Sequence, residues 1–224
     1  MFTFNLSMPH GVMKMVQVLK DSVKKQIADA AERMFAKVGY KKATVGMIAC
    51  EAGVATGNIY KYYANKEKLF HSIITPEFVE EFKRLTRNRV AILINPAKAE
   101  EARSIETGDA GKLLRFWIDN RLKVIILLAR AEGSKYESFT EEYIQAMAKQ
   151  ALDDLPSAHP DLNDSEIFRF TFNTRLADTV RGIVSILQTF ENEEQIAAAF
   201  ATSWAYHYAG INALISWCSL PNDE

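Results

Sequence analysis

The sequence predicts an all-α chain in two parts: an N-terminal three-helix helix-turn-helix domain and a larger C-terminal helical body. Three observations predict it. No segment alternates apolar and polar residues with the period of a strand, whereas apolar residues recur three and four apart along most of the chain. Two short helical segments flank Gly53 between Thr44 and Phe70. From about residue 109 onward the periodic stretches are longer, and around Val124 to Ala131 apolar residues surround the helix, as in a buried central element.

The N-terminal stretch, residues 1–20, reads as an arm; Val12, Val16 and Leu19 also fit helical spacing, so the first helix can begin inside it. The secure part of that helix runs from Asp21, a fitting N-cap, to Val38. Val23, Ile27, Ala30, Ala31, Met34, Phe35 and Val38 form its apolar face, and Gly39 stands where a C′ glycine belongs. Thr44 caps the next helix, with Val45, Ile48, Ala49 and Ala52 at helical spacing. Gly53 tolerates the positive φ of a sharp turn, and Thr56 can cap a short second helix with Ile59 facing inward. Asn65 caps a helix carrying Leu69, Phe70, Ile73 and Ile74. At Thr75-Pro76 the helix either kinks or ends and restarts, with Thr75 as N-cap and Pro76 at the first position. The apolar pattern then continues to Asn95-Pro96.

Residues 95–108 are polar and read as a connection with one helical turn. One long helix is expected from Asp109 to Ala131. Gly133 marks a break, and Ser138 with Glu141 forms a capping box for a helix to about Leu155, before a loop bracketed by Pro156 and Pro160. Two long helices close the chain: one from about Ser165 to Phe190, capped by Asp164 or Asn163, and one from about Glu193 to Trp217, where Asn192 and Gln195 fit a capping box. The division expected is an arm at 1–20, a helix-turn-helix domain at 21–72 and a body at 73–224.

With 224 residues, 48% apolar and 25% charged, the chain suits a soluble globular protein with a sizeable core. No apolar run is long enough to cross a membrane, and the N-terminus lacks the features of a signal peptide. Cys50 and Cys218 are far apart and read as small buried residues in a reducing cytoplasm. The four histidines have no partner at metal-ligand spacing, so no metal and no cofactor are expected. The net charge of −1 is unevenly spread. Residues 14–68 carry 11 Lys and Arg against 5 Asp and Glu, a balance of +6 that leaves −7 beyond them. A basic module on an acidic body suits a protein with one end that meets phosphates.

The order of features from Gly39-Tyr40 through Thr44, Ile48-Ala49, Glu51-Ala52-Gly53-Val54, Thr56-Gly57, Ile59-Tyr60, Tyr62-Tyr63, Asn65-Lys66 and Leu69-Phe70 is distinctive. On these residues, 22–72 resemble the N-terminal DNA-binding domain of the TetR (tetracycline repressor-like) family of transcriptional regulators. The resemblance places Thr56, Gly57, Asn58 and Lys61 facing bases, and Thr44, Tyr60, Tyr62 and Lys66 at phosphate-contacting positions. Asparagine can pair bidentately with adenine in the major groove, and tyrosine hydroxyls can bond phosphates without reading sequence. Two positions depart from the pattern. Gly46 stands where the family often has a polar residue able to touch DNA, and Tyr63 where it usually buries a phenylalanine, so its hydroxyl needs a partner.

In the body, Phe116, Trp117, Arg121, Tyr143, Met147, Phe168, Phe172 and Arg175 are candidates for an effector pocket; aromatic and methionine side chains at this spacing serve equally as core. The dimer surface is expected on the last two helices, through Thr179, Ile183, Phe200, Trp204, His207, Ile211 and Ile215. The resemblance implies a ligand-responsive transcriptional regulator, a repressor released from its operator by a small molecule. Its partners would be double-stranded DNA, a second copy of the chain and an unidentified effector. One rival is a DNA-binding protein that responds to another protein; the other is an enzyme or small-molecule carrier with a vestigial helix-turn-helix. Against the latter, the sequence shows no nucleophile–base pair, phosphate loop or metal set, and the DNA module keeps its basic balance.

Overall fold

Every regular element among the described residues is helical. The computed structural model describes residues 10–219. They fall into two units, one ending at Ile73 and one beginning at Ile74. Residues 1–9 of the expected arm lie outside the described residues.

In the first unit, α1 spans His10–Val38 and takes the early start, running well before Asp21. Ile27, Ala30, Ala31 and Phe35 are fully buried. Gly39, at φ 84°, ends the helix as expected, its amide donating to Phe35 O. Helices α2 (Val45–Glu51), α3 (Thr56–Ile59) and α4 (Lys66–Ile73) follow. The core is closed by an aromatic triad: Phe70 lies 5.4 Å from Phe35 and 4.7 Å from Tyr40, both edge-on.

The second unit opens with a restart, which decides between the two alternatives at Pro76. Thr75 is extended and its Oγ1 accepts from the Phe78 amide at 3.2 Å, so α5 (Pro76–Leu93) begins with proline at its first position. A 3-10 turn (Pro96–Lys98) and α6 (Ala99–Arg103) occupy the polar connection.

The long helix expected from Asp109 divides into α7 (Gly108–Asp119) and α8 (Arg121–Ala129). Asn120 breaks it: its φ and ψ of −117° and 28° leave helical geometry, and its side-chain amide donates to Phe116 O. Helix α8 is the buried central element, with Val124 to Leu128 all inside. Helix α9 (Phe139–Ala158) accommodates Pro156 in its last turn instead of stopping before it, and Ser138 makes no side-chain cap bond. Ser165 caps α10 (Glu166–Thr189), not Asp164, which pairs with Arg169. Asn192 caps α11 (Glu193–Cys218) through the Gln195 amide, as expected.

Helix α5 packs on α7 and α9, and α10 packs on α8, α9 and α11. Between α5, α7 and α9 the rings of Phe78, Phe82, Phe116, Phe139 and Tyr143 stack in a row, with neighbouring centroids 5.0–6.1 Å apart. A second cluster of Val90, Ile94, Ala151, Leu155, Phe168, Phe172 and Ile215 ties α5, α9, α10 and α11 together.

Candidate nucleic-acid interface

The segment from α2 to α3 is built around Gly53. Its φ of 64° turns the chain sharply, a conformation that a side chain disfavours. The Gly53 amide donates to Cys50 O at 3.1 Å and the Val54 amide to Ala49 O at 3.0 Å, which satisfies the carbonyls at the end of α2. Helix α1 holds this corner from behind. Gln26 Nε2 donates to Ala52 O at 2.7 Å, and Arg33 Nε pairs with Glu51 at 2.8 Å. Ile48 and Ile59 are buried beneath. Neither Gln26 nor Arg33 stood out in the sequence, because nothing local distinguishes them from other polar residues on the outer face of α1.

What faces outward follows from that anchoring. Thr56, Gly57, Tyr60 and Lys61 are exposed and Asn58 is half-buried, so the four base-facing candidates share one accessible stretch. The N-cap position of α3 falls on Ala55, which has no side-chain cap bond, and Thr56 is the first helical residue. This corrects the expectation that Thr56 caps the helix and leaves its hydroxyl on the outer surface. Lys61 Nζ donates to Asn58 Oδ1 at 2.9 Å, so these two candidates are already neighbours.

The phosphate-side candidates have different surroundings. Thr44 Oγ1 accepts from the Met47 amide at 3.2 Å, which uses a lone pair and leaves the hydroxyl proton for an outside acceptor. Tyr60 is exposed and Tyr62 half-buried. Lys66 is turned toward the protein: its ammonium donates to Tyr40 O at 2.8 Å and Ala43 O at 3.1 Å and lies 4.3 Å from the Tyr40 ring centroid. Burial lowers its pKa from the ordinary lysine value. Two of its three protons thus serve the turn between α1 and α2, and one remains.

Of the two departures from the expected pattern, Tyr63 has a physical account and Gly46 has none. Tyr63 is buried, and its hydroxyl reaches toward Lys24 O at 3.4 Å, a long contact that supplies the needed partner. Around Gly46 a β-carbon would meet only Thr44 Oγ1, at 3.9 Å, so nothing in the fold demands glycine there.

The body separates the pocket candidates. Tyr143 and Met147 line a cleft of about 620 Å³ between α5 and α9, with Thr86, Phe139 and Ala146 and with Lys83, Arg87, Glu142, Lys149 and Asp154 around it. Trp117 lies against Phe200 and lines a small space of about 60 Å³ with Arg89, Trp204 and His207. Phe116 belongs to the stacked row and Phe168 to the second cluster. Arg121 caps the end of α10, donating to Leu187 O at 2.7 Å and pairing with Glu191 at 3.0 Å. Arg175 is exposed and paired with Asp178, and with Phe172 it lines a groove between α10 and α11. The eight candidates therefore do not form one pocket. The candidates include no residue on the α5 side of this cleft, although Thr86 interrupting an apolar face was a visible signal.

The dimer candidates need a similar correction. Ile183, Phe200 and Ile215 are buried within their own chain. Trp204 donates its indole N–H to Ala102 O at 3.0 Å and stacks under the Arg89 guanidinium at 4.3 Å. Thr179, His207 and Ile211 border the α10–α11 groove, and Thr179 Oγ1 lies 3.5 Å from His207 Nδ1. The outer apolar residues are others: Ile167, Phe170, Tyr206 and Trp217 are each more than 70% exposed, and Ala198, Ala205, Ala209, Gly210 and Ala213 lie open on α11.

Residues 27–73 match the model of bacterial regulatory proteins of the tetR family. An uncharacterized HTH-type transcriptional regulator of Bacillus subtilis (strain 168), YhgD, is 44% identical over 52 residues, 23% of this chain and 27% of that one. The fatty acid metabolism regulator protein of the same organism is 40% identical over 60 residues, 27% of this chain and 31% of that one. The chain thus aligns with under a third of either relative's length. Among solved structures, the fatty acid degradation regulator FadR from Bacillus halodurans is 20% identical with a TM-score of 0.45, covering 84% of this chain and 95% of that one. FadR from Bacillus subtilis in complex with stearoyl-CoA is 22% identical with a TM-score of 0.41, covering 86% of this chain and 97% of that one.

Proposed function

We propose that this chain, whose residues 27–73 are a TetR-family helix-turn-helix domain, is a dimeric, ligand-responsive regulator that represses transcription by occupying an operator. The observation that carries this reading is the outward row of Thr56, Gly57, Asn58, Tyr60 and Lys61, braced from behind by buried Ile48 and Ile59 on a unit with a positive balance. Such a row supplies what groove recognition needs: small side chains for close approach, an amide for adenine, and a cation and a hydroxyl for base edges or phosphates.

The exposed apolar face of α10 and α11 supports association of two copies, since a soluble chain rarely leaves such a face uncovered. A two-fold pair would set two recognition segments on successive major grooves, roughly 34 Å or a multiple apart. The α5–α9 cleft falls in the size range of small-molecule sites, about 300–1,000 Å³, and is our candidate effector site. Ligand in the cleft and operator on α3 would oppose each other through one reciprocal coupling energy. The chain acts by binding alone, with no catalytic step.

The test is titration of labelled duplex DNA with the full chain at several salt concentrations. Binding should weaken steeply with salt, by about 0.9 in log–log slope for each phosphate neutralised. Asn58→Ala should flatten preference among duplex sequences and leave that slope in place. Binding that ignores salt, or duplex preference indifferent to Asn58, would refute the reading.

A further inference from the structure

Thr86 and Tyr143 form a buried polar pair within the lining of the α5–α9 cleft, and the direction of their hydrogen bonds can be worked out. Thr86 Oγ1 lies 3.0 Å from Phe82 O and 2.8 Å from the Tyr143 hydroxyl. A threonine hydroxyl has one proton, and a backbone carbonyl only accepts. Thr86 therefore donates to Phe82 O, and Tyr143 donates to Thr86. Both protons are committed to protein acceptors, and what the pair has left is lone pairs. Burial pushes the Tyr143 phenol well above its ordinary range, so it stays neutral.

The surroundings of this pair have the same preference. The Phe139 and Tyr143 rings stack with centroids 5.6 Å apart, and Lys83 already holds its ammonium 5.8 Å from the Phe139 centroid while pairing with Glu80. Lys149 is neutralised by Asp153 at 2.7 Å. Among the described residues lining the cleft, Glu142 and Asp154 have no ion pair, against Arg87 as the one cation in the same position.

We propose that the cleft selects a ligand with an apolar body and a cationic, proton-donating head, of the alkyl- or arylammonium class, and rejects carboxylates. The ammonium donates to the Tyr143 and Thr86 lone pairs, rests against the aromatic faces and is balanced by Glu142 and Asp154. A carboxylate brings lone pairs to lone pairs beside two like charges. The proposal deepens the reading of the body as a ligand-responsive unit and rests on it for its regulatory meaning.

Calorimetry on the full chain tests it with three probes that share one tail: decylammonium, decanol and decanoate. Decylammonium should bind at least about tenfold tighter than decanoate, with decanol between them. Tyr143→Phe keeps the ring and removes the oxygen; Glu142→Gln removes a charge at an exposed site where folding is not at stake. Each should weaken decylammonium about three- to tenfold and leave decanoate unchanged. Ala146→Trp should block binding by filling the cleft. The proposal is overturned if decylammonium fails to bind, if decanoate binds as tightly, if both polar variants leave the preference intact, or if Ala146→Trp binds normally. Decylammonium that binds with the expected preferences but leaves duplex DNA affinity unchanged supports the selectivity and refutes the regulatory reading.

Discussion

Removing the Lys66 ammonium separates a structural role from a DNA-contacting one. Lys66→Met keeps much of the apolar stem and deletes the charge. In the fold, the ammonium donates to Tyr40 O and Ala43 O and lies over the Tyr40 ring. A hydrogen bond to a charged group contributes about 1.5–3 kcal/mol when well desolvated. Lys66 is only half-buried, so we count the two bonds together as about 2 kcal/mol, the low end of that range discounted for solvent. The cation–ring contact adds about 0.5 kcal/mol. A loss of about 2.5 kcal/mol corresponds to roughly a 70-fold rise in local opening, read as faster amide exchange across residues 44–52. Hydrogen exchange followed by mass spectrometry on the full chain reads this directly. The salt slope of DNA binding should also fall by about one if the third ammonium proton meets a phosphate. Unchanged exchange across α2 would refute the structural part: Lys66 would then be a phosphate contact only.

Gly111→Ala would place a β-carbon 2.2 Å from the Glu106 carbonyl oxygen, a backbone atom that cannot rotate aside, so the body should lose about 1–3 kcal/mol; an unchanged melting temperature would count against it. Gly46 is exposed and a β-carbon there makes only an ordinary contact with Thr44 Oγ1, so Gly46→Arg should stabilise α2 by about 0.5–1 kcal/mol while raising the DNA salt slope by about one. His207 has its pKa lowered, first by burial, with Asp178 opposing and Arg175 adding to the shift. The unfolded chain therefore binds the proton more readily, and this contribution to stability is present above about pH 6.5 and lost as pH falls toward the lowered value. Melting at pH 7.5 and 5.5 should show that loss, and His207→Gln should reduce it.

The helices were legible where apolar spacing and caps agree, as at Thr44, Asn65 and Asn192, whereas at α10 the cap is Ser165 and not the Asp164 or Asn163 expected. The break at Asn120 was not, because the apolar pattern runs on through it and the local mark is a single asparagine whose backbone and side chain both bond back to Phe116 O. Lys66 was read by its place in a motif, but the carbonyls it serves lie more than twenty residues earlier, and only tertiary packing unites them. The Thr86–Tyr143 pair spans 57 positions and is equally invisible in one dimension. On α11 the spacing misled. Small and large apolar residues occur nearly all round it, so periodicity could not tell which face turns inward. Phe200 and Ile215 turned out to be core and Tyr206 and Trp217 surface.

Enrichment of duplexes from a random pool by the full chain tests the central claim most directly. A dimeric reader working through α3 should select a two-fold-symmetric sequence with half-site centres one helical turn, roughly 34 Å, or a multiple apart. The joint substitution Asn58→Ala and Lys61→Ala should abolish the selection while much of the salt-dependent binding remains. No enriched sequence, or the same sequence enriched by the double variant, would contradict the account.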